Sequence, residues 1–137
     1  MSSKRDLNLD EYNIGKYAYR ELHNFCLQYP EKKKRLADLR NPYKSPVITG
    51  LPRGTGTSDP TGNHAEKAAV LSADCKLIEQ TAVEAGGDDY QCLLLAVTQD
   101  VPHHYLQMLK GLEMGHDKFW AMKRYFYFCL AQKKKII

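Results

Sequence analysis

Apolar residues recur at three- and four-residue steps on both sides of a break that no regular element can cross. The break is Asn41 to Thr57, NPYKSPVITGLPRGTGT, which holds Pro42, Pro46 and Pro52 together with Gly50, Gly54 and Gly56. Proline lacks the amide donor and fixes φ, while glycine loses most freedom on ordering, so this density ends helix and strand alike. About seventeen residues is long for a connection, which marks a functional loop, a disordered segment or a linker. The chain therefore divides into an N-terminal helical arm with its Pro/Gly-rich loop, residues 1–57, and a C-terminal region, residues 58–137.

Before the break, Ile14, Ala18, Leu22, Phe25 and Tyr29 form one amphipathic stripe. The helix they imply begins near Leu9 or Asp10, where Asp10 and Glu11 suit the positive end of the helix dipole. Pro30 interrupts it, and Glu31–Arg40 forms a second short helix with Leu36 and Leu39 facing inward. After the break, Asp59 caps a long helix that starts at Pro60 and runs to about Ala85, ended by Gly86-Gly87. Its stripe of Ala68, Leu71, Cys75, Ile78 and Ala82 is narrow and made of small residues. Such a stripe suits lengthwise packing on another helix, including the same helix of a second copy, so a homodimer is expected. Three more helices follow: Tyr90–Thr98, His103–Lys110 with Tyr105, Leu106 and Leu109 inward, and His116 to about Gln132. No alternating segment pairs as strands. The expected fold is all-α, a helical bundle with a long central helix and a C-terminal helix-turn-helix-like segment.

Mean hydropathy is −0.53, and no apolar run approaches the roughly 18 residues of a membrane span. The opening MSSKRDLNLDEY has no hydrophobic stretch after its basic pair, unlike a secretory signal. Cys26, Cys75, Cys92 and Cys129 lie far apart in apolar surroundings, which fits buried free thiols of a cytoplasmic protein rather than a disulfide framework. Net charge is +4, unevenly placed. Residues 30–53 hold seven Lys or Arg against two acids, residues 61–109 hold two against seven, and residues 110–137 again hold seven against two. Separated basic patches suggest a polyanion partner; the plainer reading is that lysine runs keep helix faces solvated.

Helix, link, short helix, glycine-containing turn and longer basic helix is the order of a helix-turn-helix, whose last helix enters the DNA major groove. At 100° per residue, Phe119, Met122, Phe126, Cys129 and Leu130 gather on the packing side of the final helix. Asp117, Trp120, Ala121, Arg124 and Phe128 lie opposite, with Lys118 and Lys123 on the flanks. His116 and Asp117 stand at the helix N-terminus, where base contacts usually begin. Arg124 is the expected partner of guanine edges or phosphate, Lys118 and Lys123 of phosphates, and Ala121 allows close approach. Lys133, Lys134 and Lys135 would extend the helix and add nonspecific attraction, and Arg53 is an incidental backbone contact. The rival reading is structural: aromatic density from Phe119 to Phe128 is commonly core or interface, Trp120 and Phe128 would then pack on the first helix or a second subunit, and Asp117 would repel phosphate.

Other chemistry has less behind it. His103, His104 and His116 have no accompanying CxxC or HExxH spacing, so no metal is expected. Gly50–Gly56 matches neither a Walker nor a dinucleotide fingerprint, and no nucleophile–base set is apparent. No cofactor and no enzymatic activity are expected.

The segments YRELHNFCLQYPEKKKRLADL (Tyr19–Leu39), GLPRGTGTSDPTGNHAEKAA (Gly50–Ala69), LIEQTA (Leu77–Ala82) and GHDKFWAMKRYFYFCL (Gly115–Leu130) resemble small phage and prophage proteins of Gram-positive bacteria related to the RinA/ArpU-type late-gene transcriptional regulators. That group is similar in its last third to the DNA-reading domain of sigma factors. The resemblance implies a supporting helix over Val101–Leu109, a recognition helix over His116–Leu130 and a place in the cytoplasm of a bacterial host. The sequence departs from the pattern at Asp117 and Ala121, where more basic or polar contacts would be expected, and in the Met108–Met114 turn. The expectation is a phage-derived transcriptional regulator that binds double-stranded DNA. The alternative is a non-enzymatic interaction module that docks on a host or phage protein through its aromatic face. A ring-forming packaging subunit of the small-terminase kind is a third reading.

Overall fold

The computed structural model describes residues 7–40 and 60–137, with side chains in the second stretch from residue 65. The expected cap at Asp59 and the loop 41–57 with Arg53 lie outside the described residues. Among the described residues six α-helices follow in order: α1 Lys16–Leu27, α2 Tyr29–Arg40, α3 Pro60–Gly86, α4 Tyr90–Gln99, α5 His103–Lys110 and α6 His116–Lys133. The architecture is all-α, with the 27-residue α3 at its centre, packed on α2, α4 and α6.

The N-terminal helix departs from expectation. Asp10–Tyr12 is a single 3₁₀ turn, Asn13 turns left-handed at φ 61°, and α1 starts only after Gly15. Asn is among the few residues that visit that region readily, and here its amide closes the turn on the Asp10 carbonyl. The apolar positions keep their inward role nonetheless. Leu9, Ile14, Leu22 and Cys26 are buried.

One core joins both sides of the Pro/Gly-rich break. Ile14, Leu22 and Cys26 pack with Ile78 and Ala82 of α3, Leu93 and Val97 of α4, and Phe126, Tyr127 and Leu130 of α6. Each fully buried side chain of this size contributes about 1.5–3 kcal/mol by leaving water. The two buried threonines do not leave their hydroxyls unsatisfied: Thr81 donates to the Leu77 carbonyl and Thr98 to the Leu94 carbonyl, both at 2.6 Å. The small-residue stripe of α3 is used within the chain, since Cys75, Ile78 and Ala82 are buried against neighbouring helices.

The uneven charge also finds partners inside the chain. Lys32 bonds Asp74 at 2.9 Å and Lys33 reaches Glu79 at 3.3 Å, so the basic run of α2 lies along the acids of α3. Tyr29 donates to the same Glu79 carboxylate. At the other end Lys133 bonds Glu84 at 2.9 Å. The acidic middle segment thus neutralises part of both basic segments. Lys33–Glu79 is exposed, and a pair of that kind contributes about 0.2–1 kcal/mol, whereas Lys32–Asp74 is partly buried.

A second, smaller core holds the C-terminal helices. Cys92 and Ala96 of α4, Leu106 of α5, Leu112 of the turn and Phe119 of α6 are buried together. Met122 packs against both cores.

Candidate nucleic-acid interface

The segment from α5 to α6 begins and ends where its punctuation demands. Pro102 is extended and precedes the first turn of α5, where its missing amide costs nothing. Gly111 closes α5 at φ 72°, a conformation that penalises any side chain. The amides of Gly111 and Leu112 both return to the Leu106 carbonyl. That tight reversal sends Leu112 inward beneath Leu106 and Phe119. His103 bridges the turn: its Nε2 lies 2.9 Å from the Met114 carbonyl, which makes that nitrogen the donor. Gln107 donates to the same oxygen at 3.3 Å. The five residues between the helices are therefore tied at both ends.

His103 goes on to support α6. Its ring lies 5.5 Å from Phe119 and meets His116 edge-on at 5.7 Å. His116 stacks on Trp120 at 4.0 Å, and the Lys123 ammonium sits 4.2 Å from the centre of the same indole. Trp120 is thus enclosed by its own helix neighbours and packed on the small core, not presented as an outward anchor. A cation over an aromatic face contributes about 0.5–1 kcal/mol at such a partly exposed site.

The sequence-derived contact residues fall into three groups. His116, Asp117, Lys118 and Ala121 share the exposed start of α6, with Tyr125 following them. The Asp117 carboxylate stands fully in solvent, 3.2 Å from the His116 ring. Trp120, Lys123 and Arg124 turn instead toward a cleft between α6, α1 and the α4–α5 link, with a volume of about 630 Å³. Arg124 lies 3.8 Å from Glu11, and its side chain is 28% exposed. The third group is the lysine run. The helix ends at Lys133, so Lys134 and Lys135 do not extend it as expected. Lys133 is paired with Glu84, and Lys134 lies 3.9 Å over the Phe25 ring.

Phe128 packs within the chain, as the structural reading has it: Tyr12 of the N-terminal segment stacks on it at 4.6 Å. A further expectation is corrected. Tyr105 and Leu109 do not face inward; they are 47% and 69% exposed, and Met108 between them is 72% exposed. Leu106 alone of the expected trio is buried. Sequence reasoning also missed Tyr127, which is fully buried beside Tyr19, with its hydroxyl 3.4 Å from His23 Nδ1. Burial holds its phenol well above the ordinary range, so it stays neutral. Burial likewise raises all four thiols, Cys26 most clearly. Thiols in that state are poor nucleophiles and poor metal ligands. Among the described residues no three His, Cys, Asp or Glu come together as a metal-binding group, and no helix is long and apolar enough to cross a membrane.

Comparison with family models, with curated proteins and with solved structures finds no match. The functional reading therefore rests on the geometry of α5, the turn and α6.

Proposed function

We propose that the chain is a DNA-binding transcriptional regulator of the phage-derived kind its sequence resembles, with α6 as the recognition helix. One observation carries this reading: α5 and α6 are fixed by a tied five-residue turn and their own small core, which leaves one face of the first two turns of α6, with His116, Asp117, Lys118 and Ala121, open to solvent. A recognition helix reads base edges from that end. Lys118 is the cation of this face, and Ala121 permits close approach to the groove. His116 offers ring nitrogens to base edges, and the free amides of the first turn suit a phosphate. Asp117 favours donors such as the cytosine amino group and disfavours phosphate, so it contributes selectivity at some cost in affinity.

Mobility shifts on phage and host DNA fragments at two salt concentrations test the reading. Binding is expected to be fragment-selective and to weaken steeply with salt. Lys118→Ala is expected to lower affinity and to reduce the slope of log K against log salt by about one. Absence of binding at low salt would remove α6 as a DNA reader.

A second reading is favoured by the exposed apolar row Tyr105, Met108 and Leu109, spaced as one helical face of α5. Helix-in-groove docking on a host or phage protein uses such a row. Complexes of that kind are expected to be lost in Leu109→Asp and to vary little with salt, the opposite of the DNA-bound pattern.

A further inference from the structure

Helix α3 is enclosed along only part of its length. From Cys75 onward it sends Cys75, Ile78, Thr81 and Ala82 to the interior, and Ile78 and Ala82 belong to the main core. From Ala65 to Asp74 no side chain is buried, although Ala65, Ala68, Ala69, Val70, Leu71 and Ala73 are apolar. Neither core takes in a described residue of α3 before Leu77. This open stretch runs beside α2. Lys32 pairs with Asp74, whereas the earlier Tyr29 bonds the later Glu79, so the two helices are antiparallel. Continued in the same sense, that pairing brings Leu39 near Lys67 and Leu71, and all three line one groove of about 710 Å³ between α2 and α3. Leu39, Val70 and Leu71 are its apolar lining, and Val70 is 61% exposed. Arg35, Asp38, Glu66 and Lys67 are its charged lining. Among the described residues, none of these four is held by a hydrogen bond or an ion pair within the chain.

We propose that this groove packs on the same groove of a second copy, with α2 of each copy laid over α3 of the other in a four-helix bundle. Two antiparallel helices make one layer and leave its apolar face wet; a second pair supplies the missing layer. The charge pattern selects a copy of the chain over other partners. Each helix brings one base and one acid, so the lining is neutral overall. A strongly acidic or strongly basic partner would be repelled by half of it, and a polyanion would find no net attraction. A two-fold axis running along the helices places Asp38 opposite Lys67 of the second copy, and the same contact recurs on the other side of the axis. The pairing expected along α3 is thereby confined to its first half, because the second half is occupied inside the chain. The proposal is independent of the DNA reading, since the start of α6 takes no part in the bundle.

Sedimentation equilibrium of the full chain, from micromolar to millimolar concentration, tests it. The mass is expected to rise from that of one 15.7 kDa chain to that of two. Val70→Asp is expected to weaken association at least tenfold while far-UV dichroism stays that of the parent. Asp38→Lys and Lys67→Asp are each expected to weaken it, and the chain carrying both exchanges is expected to recover it. These two positions are exposed, so they carry the test if Val70→Asp does not fold. Leu109→Asp on α5 is expected to leave association unchanged. The proposal is overturned if the mass stays that of one chain at millimolar concentration, if the folded variants associate as the parent does, or if the double exchange is as weak as either single one. Dissociation by Leu109→Asp overturns it in favour of α5, and a mass beyond two chains overturns it in favour of a ring. A single-chain mass with lower stability in Val70→Asp would assign the groove to the chain itself.

Discussion

The two halves of α6 are one helix with two environments. Its C-terminal half is enclosed: Phe126, Tyr127, Leu130 and Ala131 are buried in the main core, Phe128 is covered by Tyr12, and Lys133 is paired with Glu84. Its N-terminal half is held by Phe119 and by the flank around Trp120, while Asp117, Lys118 and Ala121 face water. The first half to consider therefore anchors and the second displays. A display surface needs a rigid support that costs little of its own area, and a small satellite core is how this chain provides it. Stability concentrates in the large core, and chemical variety concentrates where the support is thinnest.

Phe126→Ala tests the anchored half and should have the largest effect. Emptying a fully buried aromatic site is expected to lower global stability by about 3–5 kcal/mol, read from denaturant unfolding. Phe119→Ala in the small core should act more locally. Hydrogen exchange is expected to show lost protection across α5 and the first turns of α6 while α3 keeps its own. Equal loss everywhere would show that the two cores unfold as one unit.

The cysteines sharpen the same contrast, because Cys26 sits in the large core and Cys92 in the small one. At neutral pH, Cys92 is expected to be alkylated before Cys26, with mass spectrometry following each site. Raised pH adds a second reading of the same residues. Burial holds the folded thiols above the ordinary value, so their contribution to stability is fully present below about pH 8.5 and is lost as pH rises beyond it. Denaturation midpoints should be level through neutrality and fall on the alkaline side. A midpoint that rises above pH 9 would contradict the burial of these groups.

The smallest expected effect lies at the turn. Gly111→Ala places a side chain at φ 72° with no clash in space, so the cost is conformational, about 1–2 kcal/mol. If the turn positions α6, DNA affinity should fall by more than this loss of stability explains.

The sequence made some elements legible and others not, for identifiable reasons. The helix over His103–Lys110 is bounded by Pro102 and Gly111, and it is found with those bounds. The long helix from Pro60 and the inward stripe of Phe119, Phe126, Cys129 and Leu130 follow from periodicity that many turns reinforce. An eight-residue helix offers no such reinforcement, so Tyr105 and Leu109 look inward by composition although they stand on its solvent side. A helical projection gives an angle but not the neighbour that occupies it. Lys123 and Arg124 therefore appear as groove contacts until α1 and Glu11 are seen beside them. Phe128 was legible as half of a pair; its other half, Tyr12, lies more than a hundred positions away. The uneven charge was plain in the sequence, yet only the fold shows that Asp74, Glu79 and Glu84 answer Lys32, Lys33 and Lys133.

The helix α6 runs unbroken for 18 residues, about 27 Å at 1.5 Å per residue, from the solvent-facing start to the centre of the main core. It stands as a post set in the core. A force applied to its outer end is resisted by packing some 20 Å away, since an α-helix transmits torque better than it bends. Asp117, Lys118 and Ala121 therefore keep fixed positions relative to one another and to the core, so the outer face acts as a unit.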